Sequence, residues 1–416
     1  MIEMPGVVGD VVRSVGLSTA MKAAGVVTGL LPIPQPMLLV GPGSSARLGQ
    51  ALAGFGHKRI LIVTDKGVAK LGLLKGFTQA LRKGRVDFVV FDAVTADAPI
   101  PVIERGIAFY NRRACDAIVA FGGGSPMDAA KAIAYSVANR KHPKKLVGYF
   151  KGLSAPVPVY AVPTTAGTGS EVTVAAVISD PEAATKLVIA DTRLVPSMAA
   201  LDPTLMTGLP KEVTAATGMD ALTHAVEAFI GQWATAYTDR MALAAVGLIY
   251  ENLPVACRTP RNLEARERMA LAATYAGIAF TRANVGYVHA ISHQLGGRYH
   301  TPHGLANAIM LPRVLKVLAP AVTKRLALLA VAAKVGKPGE RAAALAKKFL
   351  ASIEKMNRAV GIPAHLAALR EEDIPALAKA ACWEADTSYP VPKYLSPKSC
   401  ETILRGALVA PKRKRR

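Results

Sequence analysis

Ala117-Ile-Val-Ala-Phe121, running directly into Gly122-Gly-Gly-Ser-Pro-Met-Asp128 and then Ala129-Ala-Lys-Ala-Ile-Ala134, decides how the chain is read. The first five residues form an apolar, β-branched run short enough for a buried strand. Three glycines then let the backbone turn sharply and bare its amides. Ser125 suits a helix N-cap, Pro126 the first helical position and Asp128 the acid of a capping box, so a helix is expected to follow at once. Unpaired amides at a helix start attract anions, because the helix dipole and the N–H groups face the same point. The turn is therefore read as a diphosphate site, the competing reading being an ordinary tight turn.

The same rhythm extends on both sides of this stretch. Arg59-Ile-Leu-Ile-Val-Thr64, Asp87-Phe-Val-Val-Phe91 and Pro158-Val-Tyr-Ala-Val162 each read as a buried strand, and most are followed by a helical pattern. Strands alternating with helices predict βαβ units and a parallel sheet. Val177 to Asp180 and Lys186 to Ala190, separated by Pro181-Glu-Ala-Ala-Thr185, read instead as a hairpin laid on that unit. A second flexible loop, Pro163-Thr-Thr-Ala-Gly-Thr-Gly-Ser-Glu171, follows another of these strands and offers hydroxyls beside glycines. Two such loops at the carboxyl ends of parallel strands mark a ligand crevice. Neither loop is GxGxxG and neither carries the Gly-Lys-Ser/Thr of a P-loop, which disfavours ATP hydrolysis. Asp65 ends the first clear strand. There it would bond an adenosine ribose and repel a 2′-phosphate, which favours NAD over NADP; the competing reading is a turn aspartate before Gly67.

Beyond Pro210 the strand signals nearly vanish and Ala and Leu recur at helical spacing, as in Met241 to Tyr250 and Arg266 to Ala279. Two domains are expected, an α/β dinucleotide-binding domain over 1–210 and a helical, metal-binding domain over 211–416. The helical part holds Asp220 with His224 and His289 with His293, each pair four residues apart and so on one helix face, and then His303 after Thr301-Pro302. The helix bearing the first pair is expected to open after Gly218. Imidazoles with a carboxylate suit Fe(II) or Zn(II) and suit Mg or Ca poorly. His300 reads as a bystander in a linker, and His57, His142 and His365 form no constellation.

Composition narrows the function classes. With 416 residues and 51% apolar content the chain has ample material for sizeable cores. The early apolar stretch Ala23 to Leu31 stops at a proline-rich segment, well short of the roughly 20 residues that span a bilayer, so no transmembrane segment is expected. A secretory signal is not expected either, although there is room for a weak organelle-targeting peptide. Cys115, Cys257, Cys382 and Cys400 show no CxxC spacing, which disfavours a zinc–thiolate site and a disulfide framework and fits a reducing, cytoplasmic location. The net charge is +22, of which Lys412 to Arg416 supply five, leaving +17 over the rest. That tail is read as a solubilising segment or as a contact for nucleic acid or an anionic surface.

These segments together resemble the iron-containing, or group III, alcohol dehydrogenase family. The resemblance is carried by Gly122-Gly-Gly-Ser-Pro-Met-Asp128, Pro163-Thr-Thr-Ala-Gly-Thr-Gly-Ser-Glu171, Gly218-Met-Asp-Ala-Leu-Thr-His-Ala225, Gly286-Tyr-Val-His-Ala-Ile-Ser-His-Gln-Leu-Gly296 and Thr301-Pro-His-Gly304, and it runs from about Pro36 to about Leu408. It implies an α/β plus all-α architecture of the dehydroquinate-synthase-like kind, in which a Rossmann-like N-terminal domain with a parallel sheet precedes a helical metal-binding domain, with the site in the cleft between them. By the resemblance the metal ligands are Asp220, His224, His289 and His303, and His293 is the further catalytic histidine near the nicotinamide. Contacts to NAD fall on Asp65, Gly122, Gly123, Gly124, Ser125, Asp128, Thr164, Thr165, Thr168 and Lys186. The expected reaction is hydride transfer between the nicotinamide and a small alcohol or aldehyde, by a homo-oligomer such as a dimer, with Fe(2+), or alternatively Zn(2+), in the site. Where the family often ends near Asn-Pro-Arg, this sequence reads Tyr389-Pro-Val-Pro-Lys393. The competing readings are a glycerol dehydrogenase-like or dehydroquinate synthase-like enzyme of the same fold, and a basic nucleic-acid- or membrane-associated protein with a structural metal.

Overall fold

The computed structural model describes residues 19–409 apart from 20, 22, 27 and 184, so the basic run Lys412 to Arg416 lies outside the described residues. Nine strands are described in chain order: β1 (Met37–Val40), β2 (Arg59–Asp65), β3 (Asp87–Val94), β4 (Ala117–Gly122), β5 (Gly148–Tyr149), β6 (Val159–Pro163), β7 (Ala175–Asp180), β8 (Thr185–Ala190) and β9 (Met198–Leu201). Among them lie the helices α1 (Ser44–Ala53), α2 (Lys66–Lys70), α3 (Lys75–Lys83), α4 (Ile100–Arg112) and α5 (Gly124–Asn139). Six strands form one sheet in the order β1-β9-β6-β4-β2-β3, parallel at every pairing. As the sequence pattern led one to expect, β7 and β8 form an antiparallel hairpin; β5 joins it to make a second, three-stranded sheet. β1, β5 and β9 had no clear signal in the sequence, being short and, for β1, half exposed along its length.

The apolar runs are continuous because both faces of the large sheet are covered. Ile60 and Ile62 of β2 and Ala117, Val119 and Phe121 of β4 pack on one side with Leu48, Phe77 and Leu81 from α1 and α3. Leu61 and Val63, with Ile118 and Ala120, point to the other side, against Ile103 and Tyr110 of α4 and Met127 and Ile133 of α5. Each such buried Leu, Ile or Val stabilises by about 1.5–3 kcal/mol relative to exposure, so the alternation along two central strands sets the register of the whole unit.

The remaining helices are α6 (Lys211–Ile230), α7 (Ala236–Arg258), α8 (Leu263–Ala283), α9 (Tyr287–Tyr299), α10 (His303–Ala332), α11 (Ala342–Val360), α12 (Ile374–Ser388) and α13 (Pro397–Arg405). Two expectations at helix starts are corrected. Gly218 lies inside α6, which begins at Lys211, because the Ala-rich turn before the glycine is already helical. Gly123, not Ser125, is the N-cap of α5, and no side chain caps it. The Ser125 hydroxyl accepts from the Asp97 amide at 3.1 Å instead, and the Asp128 carboxylate accepts from Ser170 Oγ at 2.8 Å, so neither is free for a capping box.

By contacts the chain divides into two compact units, one of Pro32–Thr214 with Val255–Thr281 and one of Met1–Leu31 with Ala215–Pro254 and Arg282–Arg416. Secondary-structure type changes at Pro210, yet most of α8 belongs with the sheet unit. Thr274 on that helix donates to the buried Glu171 carboxylate at 2.7 Å, and the Val174 amide donates to Thr281 at 3.0 Å. Gly169 sits between them with φ of +61°, and a Cβ there would lie 2.7 Å from the Ala273 carbonyl and 2.8 Å from Gly277 Cα. Gly169→Ala is therefore expected to destabilise the protein by about 2 kcal/mol or more, from left-handed strain and overpacking together; an unchanged denaturant midpoint would count against this packing.

Candidate active site

Parallel pairing brings the two glycine-rich loops side by side. Gly122, the last residue of β4, is in register with Pro163, the last of β6, and the Thr164 amide donates to the Gly122 carbonyl at 3.0 Å. Gly122 has φ of +154°, and a Cβ on it would lie 2.6 Å from Pro126, so glycine is required both by the turn and by the approach of Pro126. A Cβ on Gly124 would meet the Thr168 methyl at 2.8 Å, and one on Gly123 would lie 3.3 Å from Thr165 Oγ1. Asp65, Gly122, Gly123, Gly124, Thr164, Thr165 and Thr168 therefore gather at the carboxyl ends of β2, β4 and β6. Lys186 joins through Asp97, to which it is paired at 2.9 Å while the Asp97 amide bonds Ser125.

Asp65 is the turn aspartate at the end of β2. Its Oδ1 accepts from the Val68 amide at 2.9 Å, capping α2, and its side chain also lines a cavity of about 470 Å³ with Asp92 and Arg105. Asp128 stands behind the loops. Burial pushes its carboxyl up to about 6, against the pull of the nearby Lys131 ammonium, and burial lowers Lys131 to about 8. Lys131 is fully buried, and its Nζ donates to the carbonyls of Ser170, Thr173 and Ala175 at 2.6–3.0 Å. An amine without those carbonyls would be costly at zero exposure, so the lysine ties the second loop to α5.

In the helical unit, Asp220 and His224 of α6, His289 of α9 and His303 at the first position of α10 converge, each offering one ligand atom within 4.8 Å of the others. The spacing of four does what it should, putting Asp220 above His224 and His289 above His293. Gly304 explains how α10 comes so near α6: a Cβ there would lie 2.3 Å from the Ala216 carbonyl and 3.3 Å from Asp220 Cβ. Asp220, His224 and His289 are buried and His303 is half-buried. Asn307, one turn along from His303, places Nδ2 2.6 Å from Asp220 Oδ1 and 3.2 Å from Nε2 of both His289 and His303. Three acceptor atoms thus aim at one point, and a three-imidazole, one-carboxylate donor set at that spacing fits iron(II) or zinc(II).

Glu227 holds this arrangement and was not singled out in the sequence. Its Oε2 accepts from Nδ1 of His289 at 2.6 Å and from the Gly286 amide at 2.9 Å, and its Oε1 accepts from the Val288 amide at 2.7 Å. Burial pushes the carboxyl up to about 7, against these backbone amides. Burial also drives His289 well below 6.5, with His224 and His293 adding to it. The neutral ring therefore keeps its proton on Nδ1, toward Glu227, and leaves the Nε2 lone pair for a metal. The signal was present: Asp220, His224 and Glu227 follow i, i+4, i+7 along one face of α6.

His293 stands apart from the four. Its ring lies near-parallel to that of His303, centroids 5.3 Å apart, and its Nδ1 meets Glu384 Oε1 at 2.6 Å. His300 ends α9 in a left-handed conformation, φ 53°, and is not one of the converging residues.

The chain matches the iron-containing alcohol dehydrogenase model over residues 35–203 and the model for the C-terminal part of the Fe-containing alcohol dehydrogenase family over 214–408. It is 40% identical to a 1,3-propanediol dehydrogenase of Klebsiella pneumoniae over 82% of this chain and 89% of that one. It is 37% identical to an NAD-dependent methanol dehydrogenase of Bacillus methanolicus over 90% of this chain and 98% of that one. Among solved structures, a 1,3-propanediol oxidoreductase superposes with a TM-score of 0.88 at 37% identity, covering 91% of this chain and 100% of that one. The chain belongs to the iron-containing alcohol dehydrogenase family. It is accordingly an oxidoreductase, an NAD-linked alcohol dehydrogenase or aldehyde reductase, in a family that uses NAD and iron.

Gly304→Ala is expected to push the start of α10 off α6 and carry His303 out of reach of Asp220. Elemental analysis of the folded variant should find less than half the metal of the parent; a full complement would contradict the close-approach argument.

Proposed function

We propose that Asp220, His224, His289 and His303 hold iron(II), with zinc(II) as the alternative, and that His293 handles the proton during interconversion of a short primary alcohol and its aldehyde. The observation that carries the reading is the convergence of those four ligand atoms within 4.8 Å. Bound in their sites, the metal supplies Lewis acidity to the substrate oxygen and the nicotinamide gives or takes the hydride. The chain's own residues do the rest. Glu227 fixes the His289 tautomer, and Asp220, His224 and His289 are buried. His293, with Nδ1 turned to Glu384, has Nε2 available to accept a proton from an alcohol or, as imidazolium, to return one to an aldehyde.

In the sheet unit we assign the diphosphate to the turn Gly122, Gly123, Gly124 and Ser125 and to Thr164, Thr165 and Thr168, with Lys186 and Asp128 in support. The adenosine ribose goes to Asp65, at the mouth of the 470 Å³ cavity. The glycine turn at the start of α5 and the clustering of hydroxyls at the strand ends support this. The functional division follows 1–210 for dinucleotide and 211–416 for metal, with residues 255–281 packed on the sheet unit. No helix of the described residues is long and apolar enough to cross a membrane, and all four cysteines are buried free thiols, which supports a cytoplasmic enzyme. A homodimer is the simplest assembly. The tail Lys412 to Arg416 would contact nucleic acid or an anionic surface as a separate property.

His289→Ala should lose metal and turnover together while far-UV circular dichroism is retained; full activity in that variant would sink the ligand assignment. NADH-linked turnover of a panel of short aldehydes by protein of known metal content tests the reaction directly. Asp65→Ser should raise kcat/KM for NADPH relative to NADH by roughly tenfold, about 1.4 kcal/mol, by removing charge repulsion from the 2′-phosphate. An unaltered cofactor ratio would place the ribose elsewhere.

A further inference from the structure

Resting on that reading of His293, we propose that Glu384 is the positioning residue that sets the His293 tautomer and aim, with Tyr389 and Gln294 holding it in place. Three donors converge on this one carboxylate. Its Oε1 accepts from His293 Nδ1 and from the Tyr389 hydroxyl, both at 2.6 Å, and its Oε2 accepts from Gln294 Nε2 at 2.7 Å. His293 and Gln294 lie on α9, Glu384 on α12, and Tyr389 directly after α12. A second bond locks α12 against α9 two residues along, where the buried Tyr287 hydroxyl donates to Asp386 at 2.8 Å. Glu384 therefore cannot swing away from His293 without breaking two other hydrogen bonds.

The consequence for the ring is specific. A carboxylate can only accept, so the Nδ1 facing it carries the proton and Nε2 keeps its lone pair. Nε2 makes no hydrogen bond among the described residues, and the near-parallel stacking on His303 keeps the ring beside the converging ligands. An imidazole without this partner would divide itself between two tautomers and several ring angles, and only a fraction would be competent at any instant. Tyr389 opens the segment Tyr389-Pro-Val-Pro-Lys393 that follows α12, and its hydroxyl is the donor this segment supplies to the carboxylate.

The test compares Glu384→Ala, Glu384→Gln and His293→Ala in the full chain. Three properties are measured: steady-state reduction of a short aldehyde, metal content, and the His293 tautomer from long-range proton–nitrogen spectra of zinc-loaded, histidine-labelled protein. Glu384→Ala should lower kcat by roughly ten- to a hundredfold, by analogy with the loss of the carboxylate behind a metal-bound histidine. KM for NADH and metal content should stay within about twofold, a change of roughly 0.4 kcal/mol. The His293 signal should move from the Nδ1–H form to a mixture. Glu384→Gln should recover most of kcat and the parent tautomer, because its amide oxygen still accepts from Nδ1. An unchanged tautomer in Glu384→Ala, or a loss that Glu384→Gln does not recover, overturns the assignment even if His293→Ala is inactive. If His293→Ala keeps the parent kcat, the proton-handling reading of His293 fails and this proposal falls with it.

Discussion

Glu227 is a carboxylate at 3% exposure, and the convergence of Asp220, His224, His289 and His303 depends on how its burial is made tolerable. Two backbone amides at the start of α9 and one imidazole donate to it. A buried acceptor stripped of such partners costs about 1–3 kcal/mol per lost bond, so the position of α9 relative to α6 is dictated by this one group. Once α9 is anchored, His289 has no choice of tautomer, its Nε2 faces Asp220 and His224, and the next turn presents His293. A Cβ at Gly286 would lie 2.9 Å from Glu227 Oε1, which is why the helix begins with a glycine there. The α10 side is fixed by steric approach: Gly304 lets backbone touch backbone and delivers His303.

The sheet unit solves a different problem by a different means. No single buried charge organises it; register does. Because β4 pairs with both β2 and β6 in parallel, their carboxyl ends reach one edge together, and the loops that leave them must crowd one another. The crowding is resolved with glycines on one loop and threonines on the other. Lys131 then binds the far end of the second loop through three carbonyls, so the loop carrying the threonines is held at both ends.

Much of this was legible in residues 117–134, where strand, turn and helix are written in sequence-local terms, and in the intervals of four around Asp220 and His289. Local rules reached their limit at the caps. Ser125 has the chemistry of an N-cap, but Asp97 arrives from elsewhere in the chain to donate to it, and Asp128 is taken by Ser170. Glu227 shares a face of α6 with Asp220 and His224, but an acid on a helix is usually solvent-facing, and the imidazole partners of Glu227 and Glu384 stand 62 and 91 residues away. Asn307 belongs with them: its spacing of four from His303 was readable, but its meaning depends on what stands opposite.

The amino-acid sequence by itself determined most of the element types, the parallel sheet, the two glycine-rich loops and the helix faces that carry Asp220 with His224 and His289 with His293, because periodicity, turn chemistry and residue spacing act over a few residues. Tertiary structure alone decided which acids became partners of histidines, that α8 would side with the sheet unit, and how near α10 could come to α6. Those outcomes follow from buried hydrogen-bond satisfaction and from backbone-to-backbone approach at Gly169 and Gly304. Both are properties of groups distant in the chain, which only the folded protein brings together.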